Sequence, residues 1–198
     1  MIVLRCTSRL LKRMRQPVKL AEPPTPTNPL GEWYADIAFI DREPFVVLLN
    51  ATTGAAMVLP GRAAFLKQLH IHAGQQFFKL LMHYGFDPEW PHCTQELLAW
   101  ETAPVLANTR DRSLLGSMNR LKLESFDHFA YKNRSLPEAA AHWWEGMFRH
   151  PTLPDYDKNY TWHRPVELVA QRLVPPGTGM LGFGSAILDL QVAANDDV

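Results

Sequence analysis

Cysteine is scarce in this chain: Cys6 and Cys93 are the only two in 198 residues. That excludes a disulfide framework, and no C-x-x-C pair points to zinc or thioredoxin-like chemistry. A reducing, cytoplasmic setting is the expectation. Long apolar stretches are also missing. The uninterrupted run Phe45 to Leu49 stops after five residues, where a membrane helix needs about 20, so no transmembrane helix is expected. An excess of one charge is absent too, because 20 Lys plus Arg balance 20 Asp plus Glu. No whole-molecule field then advertises a nucleic acid or a membrane, and any such partner has to use a local patch. H-E-x-x-H, a Walker loop, G-x-S-x-G and a Cys–His nucleophile signature are all missing. The sequence therefore nominates no catalytic residue, no cofactor and no metal site. His70 and His72 would point to nearly opposite sides of a helix, and His92 beside Cys93 on a loop offers two ligands where a tetrahedral site takes four.

What is present is an ordinary globular composition, 46% hydrophobic and 20% charged. A chain of this length buries roughly 70% of its unfolded surface, so one compact domain with an appendage is expected. The N-terminal IVLRC reads as a short strand, after which Thr7 or Ser8 caps a helix through about Met14. Its basic start lacks the 7 to 15 residue apolar core of a secretory signal. Four prolines in EPPTPTNP, residues 22–29, make an extended loop. From Trp33 the pattern alternates, with Ala35, Ile37 and Phe39 on one side and Tyr34, Asp36 and Ala38 on the other. FVVLL follows a DREP turn and AMVL follows ATTG, which predicts a three-stranded antiparallel meander with the doubly apolar middle run at its centre.

Helical spacing then runs through Leu66, Leu69, Ala73, Phe77, Leu80 and Tyr84 to Gly85, with Gly74 a point of bending or splitting. QELLAW is a further helical turn and PVLAN a further strand, both on ambiguous signals. Ser113 to Lys132 reads as a long helix. Ser135, Pro137 and Glu138 form a capping-box start for another, with Trp143 and Trp144 in its apolar stripe. A proline-opened helix follows from Pro165 to Leu173, and AILDLQV alternates like a closing strand. The expected class is α+β: an antiparallel β-meander sheet with packed α-helices and a helical C-terminal extension. The expected division is an α+β core over 1–132 and, over 133–198, a helical extension with a Gly-rich loop and terminal strand docked on that core.

Residues Asn108 to Asn119, NTRDRSLLGSMN, carry the most chemistry. Arg110 and Arg112 precede a predicted helix, where a base opposes the helix dipole by roughly 0.3 to 1 kcal/mol and an anion is favoured. One reading is an anion pocket in which first-turn amides, the Ser113 hydroxyl and two guanidinium forks converge on phosphate or carboxylate, with Asn119 making a further polar contact. The other is internal: the arginines pair with acids of the same chain, Asp111 or Ser113 caps the helix, and Gly116 permits close packing. A second patch is the basic N-terminal helix, with Arg9, Lys12, Arg13 and Arg15. It contains no aromatic residue, so base stacking is not suggested, and a surface shared with Arg110 and Arg112 would strengthen a nucleic-acid reading. GTGMLG at 177–182 lacks the strand–helix context of a dinucleotide site. The segment from Asp155 opens like a calcium loop but has Tyr160 at the glycine position and Val166 at the bidentate acid.

MIVLRCT with LLK, LGEWYADIAFIDR, FVVLLNATTGAAMVLPG and TRDRSLLGSMN occur in an order that resembles the uncharacterised prokaryotic family domain of unknown function 6933. The likeness covers roughly Met1 to Lys132, with RSLLGSMN its most specific element. It implies a small bacterial α+β domain with no assigned activity and no catalytic residues to carry over. The expectation for function is a non-enzymatic binding module with an anion-binding turn at Arg110, Arg112, Ser113 and Asn119. Candidate partners are an anionic ligand, a nucleic acid or a protein. The alternative is a small enzyme acting on a phosphate-containing substrate, with the arginines stabilising developing negative charge.

Overall fold

A computed structural model describes residues 1–130, 135–149 and 162–178. The element order is β1 (Val3–Cys6), α1 (Ser8–Arg13), β2 (Trp33–Ile40), β3 (Glu43–Asn50), β4 (Ala56–Pro60), α2 (Ala63–Leu66), α3 (Leu69–His83), α4 (Pro91–Glu101), β5 (Val105–Asn108), α5 (Arg112–Ala130), α6 (Leu136–Glu145) and α7 (Pro165–Leu173). The class is α+β. Its five-stranded sheet has the order β4-β3-β2-β1-β5, and β1 pairs parallel with both β2 and β5. The sheet is therefore mixed, and the purely antiparallel meander holds only for β2, β3 and β4. The centre is also β2 rather than β3, because β1 returns to cover the free side of β2. Burial follows: Trp33 to Ile37 are all buried instead of alternating. β3 is covered on both sides as expected, buried from Phe45 to Asn50.

Local chemistry explains the connections. Ile40 pairs with Glu43, so the β2–β3 turn is only Asp41 and Arg42, both at positive φ of 48° and 70°, the two-residue geometry that matches strand twist. At the next turn Asn50 Oδ1 accepts from the amides of Thr52 and Thr53 and from both threonine hydroxyls, while its amide group donates to the Leu30 and Glu32 carbonyls. The predicted helix over 66–84 is broken at Lys67 and Gln68, not at Gly74. Gly74 lies inside α3, and its small size lets α4 approach, since an added Cβ would lie 2.8 Å from Trp100 Cβ. Thr7 caps α1, and Ser135 with Glu138 forms the predicted capping box of α6.

Trp33 is the hub of one sheet face, with Phe77 of α3 at 6.0 Å and Trp100 of α4 at 5.5 Å between ring centroids. Each such buried ring system contributes roughly 4 to 6 kcal/mol of transfer free energy from 150 to 250 Å² removed from water. α5 lies across the opposite face, over β2 and β3. The outer edge of β4 is closed by side chains. Gln76 donates to the Val58 carbonyl and accepts from its amide, both at 2.9 Å, and the Trp144 indole donates to the Ala56 carbonyl at 2.9 Å. An edge that could recruit another strand is thereby covered. The AILDLQV run predicted as a strand, most of GTGMLG and the Asp155 segment up to residue 161 lie outside the described residues, while Val166 is buried in α7. No helix among the described residues is long and apolar enough to cross a membrane.

Candidate functional site

Arg5 shows how the candidate cleft is built. It sits on a parallel strand between Tyr34 and Ala107, and its side chain is only 1% exposed. A guanidinium that deep requires paired acceptors. Glu32 takes two of its N–H groups at 2.7 and 2.8 Å, Glu22 takes one at 2.7 Å, and the Asn108 carbonyl takes another at 3.0 Å. Hydrogen bonding to Glu32 holds the Arg5 pKa above its ordinary value against the effect of burial, and the bond from Arg5 lowers that of Glu22. Arg110 closes the cluster from outside, 3.0 Å from Glu22 and 3.2 Å from Glu32. Two arginines and two glutamates thus form one charge-balanced group joining the strand, the proline-rich loop and the turn before α5.

This group floors a cleft of about 890 Å³ between the loop at Glu22 to Pro26 and the turn at Arg110 to Arg112, with Tyr34 and Thr52 on its walls. Arg112 is exposed here and has no ion pair among the described residues. The helix start itself is already capped: Asp111 Oδ1 accepts from the Ser113 amide at 2.8 Å and the Leu114 amide at 3.2 Å. Tyr34, its pKa raised mainly by burial, takes a backbone hydrogen bond at Asp111.

The four sequence candidates are divided among three concavities. Arg110 and Arg112 share the cleft. Ser113 lines a neighbouring cavity of about 280 Å³ with Ser117, Trp143 and Phe148. Asn119 lines a third, of about 570 Å³, with Arg9, Phe39 and Lys122. Arg9 and the Arg110–Arg112 pair therefore do not share one concavity. Gly116 packs against nothing, an added Cβ meeting no atom within 4 Å. Sequence reading missed Arg5, Glu22 and Glu32, for which the one available signal was a base inside the apolar run IVLRC. His92 and Cys93 lie on α4 rather than on a loop. Cys93 is buried, its thiol pushed up to about 11 by burial, and His92 Nδ1 sits 2.9 Å from the Arg172 carbonyl. No group of three or more His, Cys, Asp or Glu that could hold a metal ion occurs among the described residues.

Residues 3–167 match the family model Domain of unknown function (DUF6933), and the chain belongs to that family. The match passes Lys132, runs through α6 and ends within α7. Comparison with curated proteins finds no match.

Proposed function

We propose that this family member is a binding module whose cleft between the proline-rich loop and the start of α5 takes a small anionic ligand, phosphate- or carboxylate-bearing. The observation that carries the reading is Arg112, an exposed guanidinium without an ion pair among the described residues, beside Arg110 in a cleft of about 890 Å³. That volume falls in the range of small-molecule sites. Arg110 is held by Glu22 and Glu32, so its outer N–H groups are positioned before a ligand arrives, and preorganised donors lose less entropy on binding. The anion contacts come from guanidinium forks rather than from the helix amides that Asp111 occupies. Binding is favoured over catalysis on a phosphate-containing substrate because the acids of the cleft are engaged, Glu22 and Glu32 by arginines and Asp111 by amides.

Melting temperature in the presence of phosphate, sulfate and nucleotides tests this, since a ligand that prefers the folded chain raises it. At least one of these anions should give a saturable upward shift. Arg112→Ala should abolish that shift while moving the unliganded melting point little, as exposed substitutions usually stay within about 0.5 kcal/mol. No shift with any anion, or an undiminished shift in Arg112→Ala, would remove the cleft from consideration.

A further inference from the structure

Many bases of this protein are neutralised at home. Arg5, Arg62, Arg110, Arg120, Lys122 and Arg164 each have a carboxylate partner. The bases of α1 are different. Arg9, Lys12 and Arg13 stand at i, i+3 and i+4, so they share one helix face, and all three are exposed with no ion pair among the described residues. Arg15 and Lys19 continue the run, and no acid precedes Glu22. Arg15 has φ 58°, in the left-handed region where glycine would be the local preference. Lys12 and Arg13 stand in the last turn of α1, where the helix dipole favours a cation, but that does not account for Arg9 in the first turn, for Arg15 at its left-handed position or for Lys19 beyond the helix.

Beside that face lies the concavity of about 570 Å³ lined by Arg9, Phe39, Ile40, Asn119, Lys122 and Leu123. Phe39 is 50% exposed, although Trp33 to Ile37 of the same strand are buried, and Leu123 is 74% exposed. The fold thus supplies the aromatic ring that α1 lacks. A half-exposed ring beside Arg9, which has no ion pair among the described residues, and next to the basic face that Lys12 and Arg13 continue, has the character of a stacking platform at the edge of an electropositive surface, and such sites take nucleotides one base at a time. Asn119 adds an amide that both donates and accepts, as a base edge requires. A duplex keeps its base faces stacked internally and could not use the ring.

We infer that the outer face of α1 and the adjoining Phe39 concavity form a binding surface for single-stranded nucleic acid, with phosphates on Arg9, Lys12 and Arg13 and a base on Phe39. This surface is independent of the Arg112 cleft, which lies seven residues earlier on α5, about 10 Å along its axis. Arg110 and Arg112 take no part in it.

Fluorescence anisotropy with the full chain and a labelled mixed-sequence 12-nucleotide single strand, beside the duplex of the same sequence, tests it. Single-strand binding should weaken with salt at a logarithmic slope near −2 if about three phosphates are neutralised. Phe39→Ala should weaken it at least fivefold at an unchanged slope. The triple substitution Arg9→Ala, Lys12→Ala, Arg13→Ala should flatten the slope, and Arg112→Ala should bind like the unchanged chain. Melting temperatures of all variants, with Phe39→Leu as a milder ring removal, keep misfolding from imitating the effect. The inference is overturned by no binding at about 50 mM salt, by duplex binding as tight as the single strand, by indifference to both Phe39 substitutions, or by capture of anionic phospholipid vesicles in place of the oligonucleotide.

Discussion

Arg5 and Glu96 are both withdrawn from water, and their surroundings treat them in opposite ways. Arg5 meets two carboxylates. Glu96, fully buried on α4, accepts from the Asn28 amide at 3.0 and 3.1 Å, the Leu30 backbone at 3.0 Å and the Trp33 indole at 3.4 Å. No side-chain cation faces it among the described residues. Burial raises its pKa, and these hydrogen bonds together with the distant N-terminal ammonium only partly oppose the rise. The folded chain therefore holds a proton at pH values where the unfolded chain has released it. Stability is fully supported below the ordinary glutamate range and falls as pH rises towards the raised value, by about 1.4 kcal/mol per pH unit of that window. Glu96→Gln cannot ionise. Urea denaturation of both proteins from about pH 4 to about pH 8 should show the wild type losing ground to the variant as pH rises, whatever the constant offset. A pH-independent difference would show that Glu96 ionises as easily when folded as when unfolded.

Glycine within a helix costs about 1 kcal/mol relative to alanine, and the described residues include two such glycines in contrasting settings. At Gly74 of α3 a new Cβ would press on Trp100 Cβ at 2.8 Å, and overpacking of that kind costs about 1 to 3 kcal/mol. The clash outweighs the propensity gain, so Gly74→Ala should lose up to about 2 kcal/mol in chemical denaturation. At Gly116 of α5 the space is open, so Gly116→Ala should gain up to about 1 kcal/mol and raise the melting temperature. A loss at Gly116 would reveal a neighbour that open surroundings do not suggest. These cases show where sequence reading succeeds and where it stops. Periodicity and caps placed the 66–84 helical region, the Ser135–Glu138 helix start and the Pro165 helix because those signals act within a turn or two. They could not show that β1 runs parallel to β2, since pairing direction leaves no mark on a four-residue strand buried throughout. Nor could they separate the glycine that admits a neighbouring helix from the one that faces solvent.

At the scale of the molecule, the illegible part of the candidate site is its long-range pairing. Arg110 and Arg112 were visible as bases ahead of a helix, but the acids that hold Arg110 lie 88 and 78 residues away in sequence. Phe39 reads as one member of an alternating strand until the sheet leaves its end uncovered. The same issue governs α6, which the sequence assigns to an extension beyond 132. Trp144 of α6 is fully buried, stacks on Tyr84 at 5.6 Å and 2°, lies 5.8 Å from Phe77 and donates to the β4 edge. Removing it opens a cavity against α3 and β4 at once and leaves the Ala56 carbonyl without its donor. Trp→Ala in a core costs about 3 to 5 kcal/mol. If α6 folds as part of the same cooperative unit, Trp144→Ala should lower the midpoint of the entire transition, with circular dichroism and tryptophan fluorescence still coincident. If α6 is instead a separately melting appendage, the main transition should stay in place and only a minor phase should move.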